Sequence, residues 1–275
     1  MKITAQQVNE LRKTTGAGMM DCKKALVETE GDMEKAIDFL RKKGQKVAAK
    51  RADREASEGV VLAKVSDDNK FAAVIMINCE TDFVAKNQEF IDYVTSVIDL
   101  GIAKRAKTAD ELNALQMDGR SIADSIVDKT GLIGEKVQLR HFEVVEAESV
   151  YAYTHPGNRI ASIASMNQDG EAIKTAGHDV VMQIAAMAPV ALDKDSVSEE
   201  IIQREIEIGK EQVRQEGKPE EMIEKIALGK LNKFFKENTL LNQAFIKDSK
   251  KSVADYLKEL DKNLTVTDFK RLALA

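Results

Sequence analysis

The residues able to do covalent chemistry are few in this chain and badly placed for it. Among its 275 residues are three histidines, at 141, 155 and 178, and two cysteines, at 22 and 79. No pair has the C-x-x-C or H-x-x-x-H spacing that closes a zinc site. Cys79 and His155 can be written down as a thiol–imidazole pair, but nothing adjacent to either would activate a thiolate. Gly16-Ala17-Gly18 runs into Met19-Met20-Asp21-Cys22-Lys23-Lys24. It lacks the third glycine of a dinucleotide loop and the terminal Lys-Ser/Thr of a phosphate loop. Carboxylates abound, but on helical stretches dense in charge, which reads as solvated surface. With no nucleophile–base set, no metal box and no cofactor loop, the chain reads as a protein that binds rather than one that catalyses, with no cofactor.

Composition agrees with a soluble helix-rich protein. Charged residues make up 32% and apolar residues 43%, and aromatics only 5%, with no Trp. Such a profile excludes collagen-like, disulfide-stapled and disordered classes. No run reaches the roughly 18 apolar residues of a membrane span, and the amino terminus lacks the apolar core of a signal peptide, so the expected location is the cytoplasm. There Cys22 and Cys79, each in an apolar pattern, would be reduced and buried. The net charge is −5, unevenly spread: residues 1–54 hold thirteen Lys and Arg against eight Asp and Glu. The excess lies in the run from Arg41 to Arg54. That run has no aromatic on which a base could stack, so it reads as a solvated helix or linker, with RNA contact as the alternative.

The elements that must position any binding residue follow from periodicity. Residues 4–43 predict three short helices: Val8 and Leu11 on the first, Cys22, Ala25 and Leu26 on the second, Ala36, Ile37 and Leu40 on the third, with breaks at Thr14–Gly18 and Glu30–Asp32. Met19 and Met20 fall on the first turn of the second helix, one expected inward and one outward. From Gly59 the pattern alternates: Val60–Val65, a Ser66–Asn69 turn and Phe71–Ile77 predict a hairpin. Asn78-Cys79-Glu80-Thr81-Asp82-Phe83-Val84-Ala85-Lys86 then leads to a helix with Phe90, Tyr93, Val94, Val97 and Ile98 on its apolar face. The same order recurs about ninety residues on. With Val61 set on Val150, Ala63, Asn69, Ala72 and Asn78 fall on Ala152, Asn158, Ala161 and Asn167, followed by a helix over 177–188. The implied core is a duplicated α+β unit with antiparallel sheets, with a further strand over 137–146. In that alignment Gly170-Glu171-Ala172 stands opposite Thr81-Asp82-Phe83, which makes Phe83 spare for folding. Residues 195–237 predict an antiparallel helical hairpin turning at Gly217-Lys218-Pro219, with Gly209 and Gly229 placed for close backbone approach. A helix over 253–260 and a strand over 264–272 end the chain.

Two segments carry a family resemblance. Val8, Leu11, Arg12 and the run Thr15 to Leu26, with Gly31-Asp32 and Ala36-Ile37 at matching distance, resemble the amino-terminal domain of the elongation factor Ts family. Asn78 to Lys86 resembles that family's core motif. The resemblance implies three parts: residues 1–54, a three-helix domain like ubiquitin-associated domains, with a basic linker; residues 55–140, a first α+β subdomain carrying Thr81-Asp82-Phe83; and residues 141–275, a second one with the hairpin 195–237 and a helix–strand module. It also implies a function, guanine-nucleotide exchange on elongation factor Tu. Asp82 and Phe83, flanked by Thr81 and Val84, would wedge into Tu and displace magnesium and GDP. Arg12, Met19 and Met20 would hold Tu through the amino-terminal domain, and His155 through the second subdomain. The implied partner is elongation factor Tu, with no nucleic acid and no membrane, and with room for a homodimer within a larger complex. The alternative is a ubiquitin-associated-type or ribosome-bound adaptor using the basic run, without exchange activity.

Overall fold

The structure is a computed structural model and describes residues 3–274. The chain clusters into two compact units, Met1–Leu62 with Ile75–Phe142 and Leu274–Ala275, and Ala63–Val74 with Glu143–Ala273.

Three helices open the first unit: α1 (Ala5–Thr15), α2 (Met19–Glu28) and α3 (Met33–Arg51). Local chemistry sets their ends. Thr4 and Gln7 form a reciprocal capping box at the start of α1, and Gly16, at φ 69°, ends it in the left-handed conformation that a side chain would strain. Asp32 accepts from the Lys35 amide to cap α3. Leu11, Cys22, Ala25, Leu26 and Ala36 are fully buried between the three helices. Most of the basic run from Arg41 is not a linker. It continues α3 to Arg51, because nothing between Asp32 and Arg51 breaks the helix except Gly44, which is buried for a packing reason given below.

Strands β1 (Glu58–Val65) and β2 (Phe71–Cys79) follow, then α4 (Asp82–Ala85), α5 (Gln88–Lys104), α6 (Ala109–Ala114), the short strands β3 (Gln116–Met117) and β4 (Arg120–Ser121), and α7 (Ile122–Ile133). Strand β5 (Gln138–Glu146) completes a three-stranded sheet of order β1-β2-β5. Every residue of the central β2 is buried. Helices α3 and α7 cross at a pair of glycines. A methyl group built on Gly131 would lie 2.2 Å from the Gly44 Cα, so the backbones touch where any side chain on α7 would keep them apart.

In the second unit β6 (Ser149–Thr154) and β7 (Ile160–Met166) join β10 (Val266–Ala273) in an antiparallel sheet of order β10-β7-β6. Helix α8 (Glu171–Met187) packs on β6 and β7, with Gly177 against the Tyr151 ring. Helices α9 (Glu199–Gln215) and α10 (Glu220–Asn238) form the expected hairpin, with Lys230 reaching back to Glu216 at 2.8 Å. A methyl group built on Gly209 would lie 3.4 Å from the Ala227 Cα, while one built on Gly229 would meet nothing within 4 Å, so the two glycines do not face each other as their symmetric spacing suggested. Strands β8 (Ala244–Phe245) and β9 (Asp248–Ser252) and helix α11 (Val253–Leu260) lead into β10. Among the described residues no helix is long and apolar enough to cross a membrane.

The fold is α+β, and its internal repeat is visible in the turns. Ser66 donates its amide to Phe71 and accepts from Asn69, and His155 does the same with Ile160 and Asn158. The two asparagines both sit at φ 55°, a left-handed turn position that Asn tolerates. The repeat then diverges. Helix α8 begins at Glu171, immediately after its cap Gly170, and not near Gly177. Gly170-Glu171-Ala172 is therefore the start of α8 and corresponds to Asn87-Gln88-Glu89 at the start of α5. The turn α4 has no counterpart in the second half.

Candidate functional site

The segment from Asn78 to Lys86 leaves the buried strand β2 and reaches the surface within four residues. Asn78 donates to the Glu58 carbonyl at 2.9 Å. Cys79 is fully buried, its thiol donating to the Thr81 carbonyl at 3.2 Å. Burial, with the Glu135 charge adding to it, pushes this thiol up to about 12, so it is neutral and a poor nucleophile at physiological pH. Cys22 is also free and buried, and its thiol is shifted upward, burial again being the main cause.

The next two residues are held by acids. Glu80 accepts from Arg51 Nη1 at 2.8 Å and from the Lys136 amide at 2.7 Å. Thr81 gives its amide and its hydroxyl to the two oxygens of Glu135, at 3.0 and 2.7 Å. The Thr81 hydroxyl oxygen in turn accepts from the Val84 amide and caps α4. Lys136 closes the arrangement by donating Nζ to the carbonyls of Ala52 and Arg54. A single helical turn fixes about six dihedrals for one hydrogen bond and does not hold itself together in water. Charge-assisted bonds of this kind contribute about 1.5–3 kcal/mol each.

On this turn Phe83 points into solvent. It is 84% exposed, more than any other large apolar side chain among the described residues. Exposure forgoes roughly 1.5–3 kcal/mol of burial free energy, so the ring contributes little to holding the fold together. Asp82 pairs with Lys86 at 2.6 Å across one helical turn, and the Lys86 hydrogen bond and charge hold its carboxyl below the ordinary range. Val84 is half-buried and lines a small cleft with Phe90, Leu132 and Ile133.

The other sequence-predicted residues lie elsewhere. Arg12 is exposed in the last turn of α1. Met19 and Met20 are both exposed, at 56% and 73%, contrary to the expectation of one inward. Ala17, in the loop before α2, closes that end of the helical core in place of a methionine. With Val27, 57% exposed, the two methionines add polarisable apolar surface to α2. His155 is exposed at the β6–β7 turn, its Nδ1 2.9 Å from the Tyr153 hydroxyl, and belongs to the second unit.

Sequence reasoning missed Arg51, Glu80, Glu135 and Lys136, because charged side chains of both signs were read as solvated. A usable signal was present: Glu135 falls in the short connection between the helix stop Gly134 and strand β5, beside the Asn78–Lys86 motif in the fold. The cleft between α3 and α7, of about 430 Å³, is lined by pairs already satisfied, Lys43 with Asp21 at 2.5 Å and Arg120 with Asp128 at 2.6 Å. The arrangement as a whole is an exposed aromatic on an anchored turn with a carboxylate beside it.

Comparison with known proteins agrees with this picture. The profile of the family described as Elongation factor TS matches residues 80–275. The elongation factor Ts of Christiangramia forsetii is 51% identical over 273 residues, covering 99% of both chains. That of Flavobacterium psychrophilum is 52% identical over 272 residues, covering 99% of this chain and 98% of the relative, and that of Cytophaga hutchinsonii is 51% identical over 275 residues, covering 99% of each. Motif, fold and full-length similarity converge: this chain belongs to the elongation factor Ts family.

Proposed function

We propose that this translation elongation factor is a guanine-nucleotide exchange factor acting in the cytoplasm on elongation factor Tu. It binds the GDP complex and promotes release of GDP and magnesium so that GTP can enter, without covalent chemistry of its own. The observation that carries the reading is Phe83, exposed on an inserted, firmly anchored turn that the repeat does without. Phe83 and Asp82, with Thr81 and Val84, form the wedge that disturbs the magnesium and nucleotide site of Tu. Arg12, Met19 and Met20 hold Tu from the three-helix domain, and His155 adds a contact from the second α+β subdomain.

The energetics need no catalytic group. A chain that weakens GDP binding by some factor is itself weakened by GDP to the same factor. An aromatic driven into a packed joint of the partner supplies differential binding of the size seen at interface hot spots, about 2–4 kcal/mol. The adaptor alternative rests on the basic run, where Arg41, Lys43 and Arg51 are already paired with Asp38, Asp21 and Glu80.

The test is complex formation with Tu followed by size-exclusion chromatography. A stoichiometric complex that GDP dissociates in a concentration-dependent way is expected. A complex indifferent to GDP, or salt-sensitive RNA binding in its place, would favour the adaptor.

A further inference from the structure

We infer that Glu135 is a positioning residue for nucleotide release: it sets the Thr81–Val84 turn so that Phe83 is presented to the partner in one fixed orientation. The inference rests on the exchange reading given above. Its basis is a pair of hydrogen bonds that one residue donates to one carboxylate. Glu135 takes both the amide and the hydroxyl of Thr81, at 3.0 and 2.7 Å. Thr81 is the cap of α4, and its hydroxyl oxygen is what the Val84 amide reaches. Glu135 therefore fixes the position and hydroxyl orientation of the residue on which the turn depends.

The Cys79 thiol also reaches Thr81, donating to its carbonyl, and Val84 is half-buried, but it is Glu135 that takes both the amide and the capping hydroxyl. Phe83 is 84% exposed and gains no packing that would orient it. The Asp82–Lys86 pair lies within the turn and at the surface, so it moves with the turn and does not anchor it. Glu135, in contrast, sits just beyond α7, whose cap is Gly134 and whose Gly131 is in backbone contact with Gly44 of α3. The neighbouring bonds of Glu80 to the Lys136 amide and to Arg51 tie the same two stretches of chain together. The turn is thus mounted on the α3–α7 crossing through two carboxylates, of which only Glu135 grips the cap itself. A wedge presented in a single orientation avoids the ordering cost that a mobile one meets on binding.

The test is a double-mutant cycle read by release of a fluorescent GDP analogue from Tu, using full-length chains. Phe83→Ala, Glu135→Ala and the double variant are compared with the parent, with Glu135→Gln as the conservative change that keeps one acceptor. Glu135→Ala is expected to slow exchange on the order of tenfold, equivalent to one charge-assisted hydrogen bond, and Glu135→Gln to slow it less. In the Phe83→Ala background Glu135→Ala should add no further loss. A merely structural role would give equal losses in both backgrounds and overturn the inference, as would a Glu135→Ala variant with undiminished exchange. If Phe83→Ala itself has no effect, the exchange reading fails, and amide hydrogen exchange then decides the positioning claim alone. Thr81 and Val84 amides should lose protection in Glu135→Gln while those of α5 keep theirs; unchanged protection at Thr81 refutes the role.

Discussion

The contact between Gly44 and Gly131 makes an asymmetric prediction. The two glycines face each other across the α3–α7 crossing, yet they are not equivalent. A Cβ on Gly131 would stand 2.2 Å from the Gly44 Cα and 3.0 Å from its carbonyl carbon, whereas a Cβ on Gly44 would stand 3.5 Å from the Gly131 Cα. The first is impossible without moving a helix, since the obstructing atoms are backbone. The second is an ordinary van der Waals contact. Overpacking a core typically costs about 1–3 kcal/mol, and a backbone obstacle belongs at the upper end. Replacing Gly by Ala inside a helix returns about 0.8–1 kcal/mol. Gly131→Ala should therefore destabilise by about 2 kcal/mol, lowering Tm by roughly 4–8 °C at the usual 2–4 °C per kcal/mol for a chain of this size class. Gly44→Ala should be neutral or stabilising by up to about 1 kcal/mol. Urea unfolding of both variants beside the parent measures the difference directly. If Gly131→Ala matches the parent, or Gly44→Ala is the more damaged of the two, the crossing is not built as described.

Phe83→Ala should leave unfolding unchanged to within about 0.5 kcal/mol, because an 84% exposed ring contributes little to the fold; a larger loss in urea titration would mean the ring packs in the free protein. The Asp82 carboxyl, depressed by the Lys86 hydrogen bond and charge, should titrate by NMR below the ordinary aspartate value of 3.8 and move up in Lys86→Ala. The sign follows from linkage: the pair's contribution is present above the unfolded value and lost as pH falls through the folded one. At the alkaline end Cys79, Tyr93 and Tyr256 are each pushed up to about 12, burial being the main cause in every case. Their neutral forms are favoured in the folded state, so stability should decline from about pH 9, the thiol's ordinary value, towards 12. Iodoacetamide at pH 8 should modify Cys79 only after unfolding, and rapid labelling of the folded protein would contradict its burial.

Much of this was legible in the sequence for physical reasons that can be named. The helical hairpin announced itself through apolar spacing and Gly217-Lys218-Pro219, and the structure turns there. The two β-hairpins were visible because Asn69 and Asn158 mark left-handed turns between alternating apolar runs. The terminal helix falls at Val253–Leu260, where Ser252 and Asp255 form a capping box. What escaped depends on contacts distant in sequence. Gly44 and Gly131 are 87 positions apart, and only the fold reveals that each excuses the other. Glu80 and Glu135 look like surface charge in any local window, as does Asp179, which is 5% exposed and held by Lys247 and Tyr256. The insertion of α4 was hidden because alignment by identity carried Thr81 onto Gly170, whereas the helix caps show that Gly170 belongs with Asn87.

The central claim concerns one event, the loss of GDP from Tu. It is tested most directly by loading a cognate Tu with a fluorescent GDP analogue and following release by stopped flow, with excess unlabelled GDP, as this chain is added. Release should accelerate in proportion to the chain at low concentration and then saturate, and Phe83→Ala should abolish most of the acceleration while remaining folded. A folded parent chain that leaves the release rate unchanged, or a Phe83→Ala variant as active as the parent, would contradict the account.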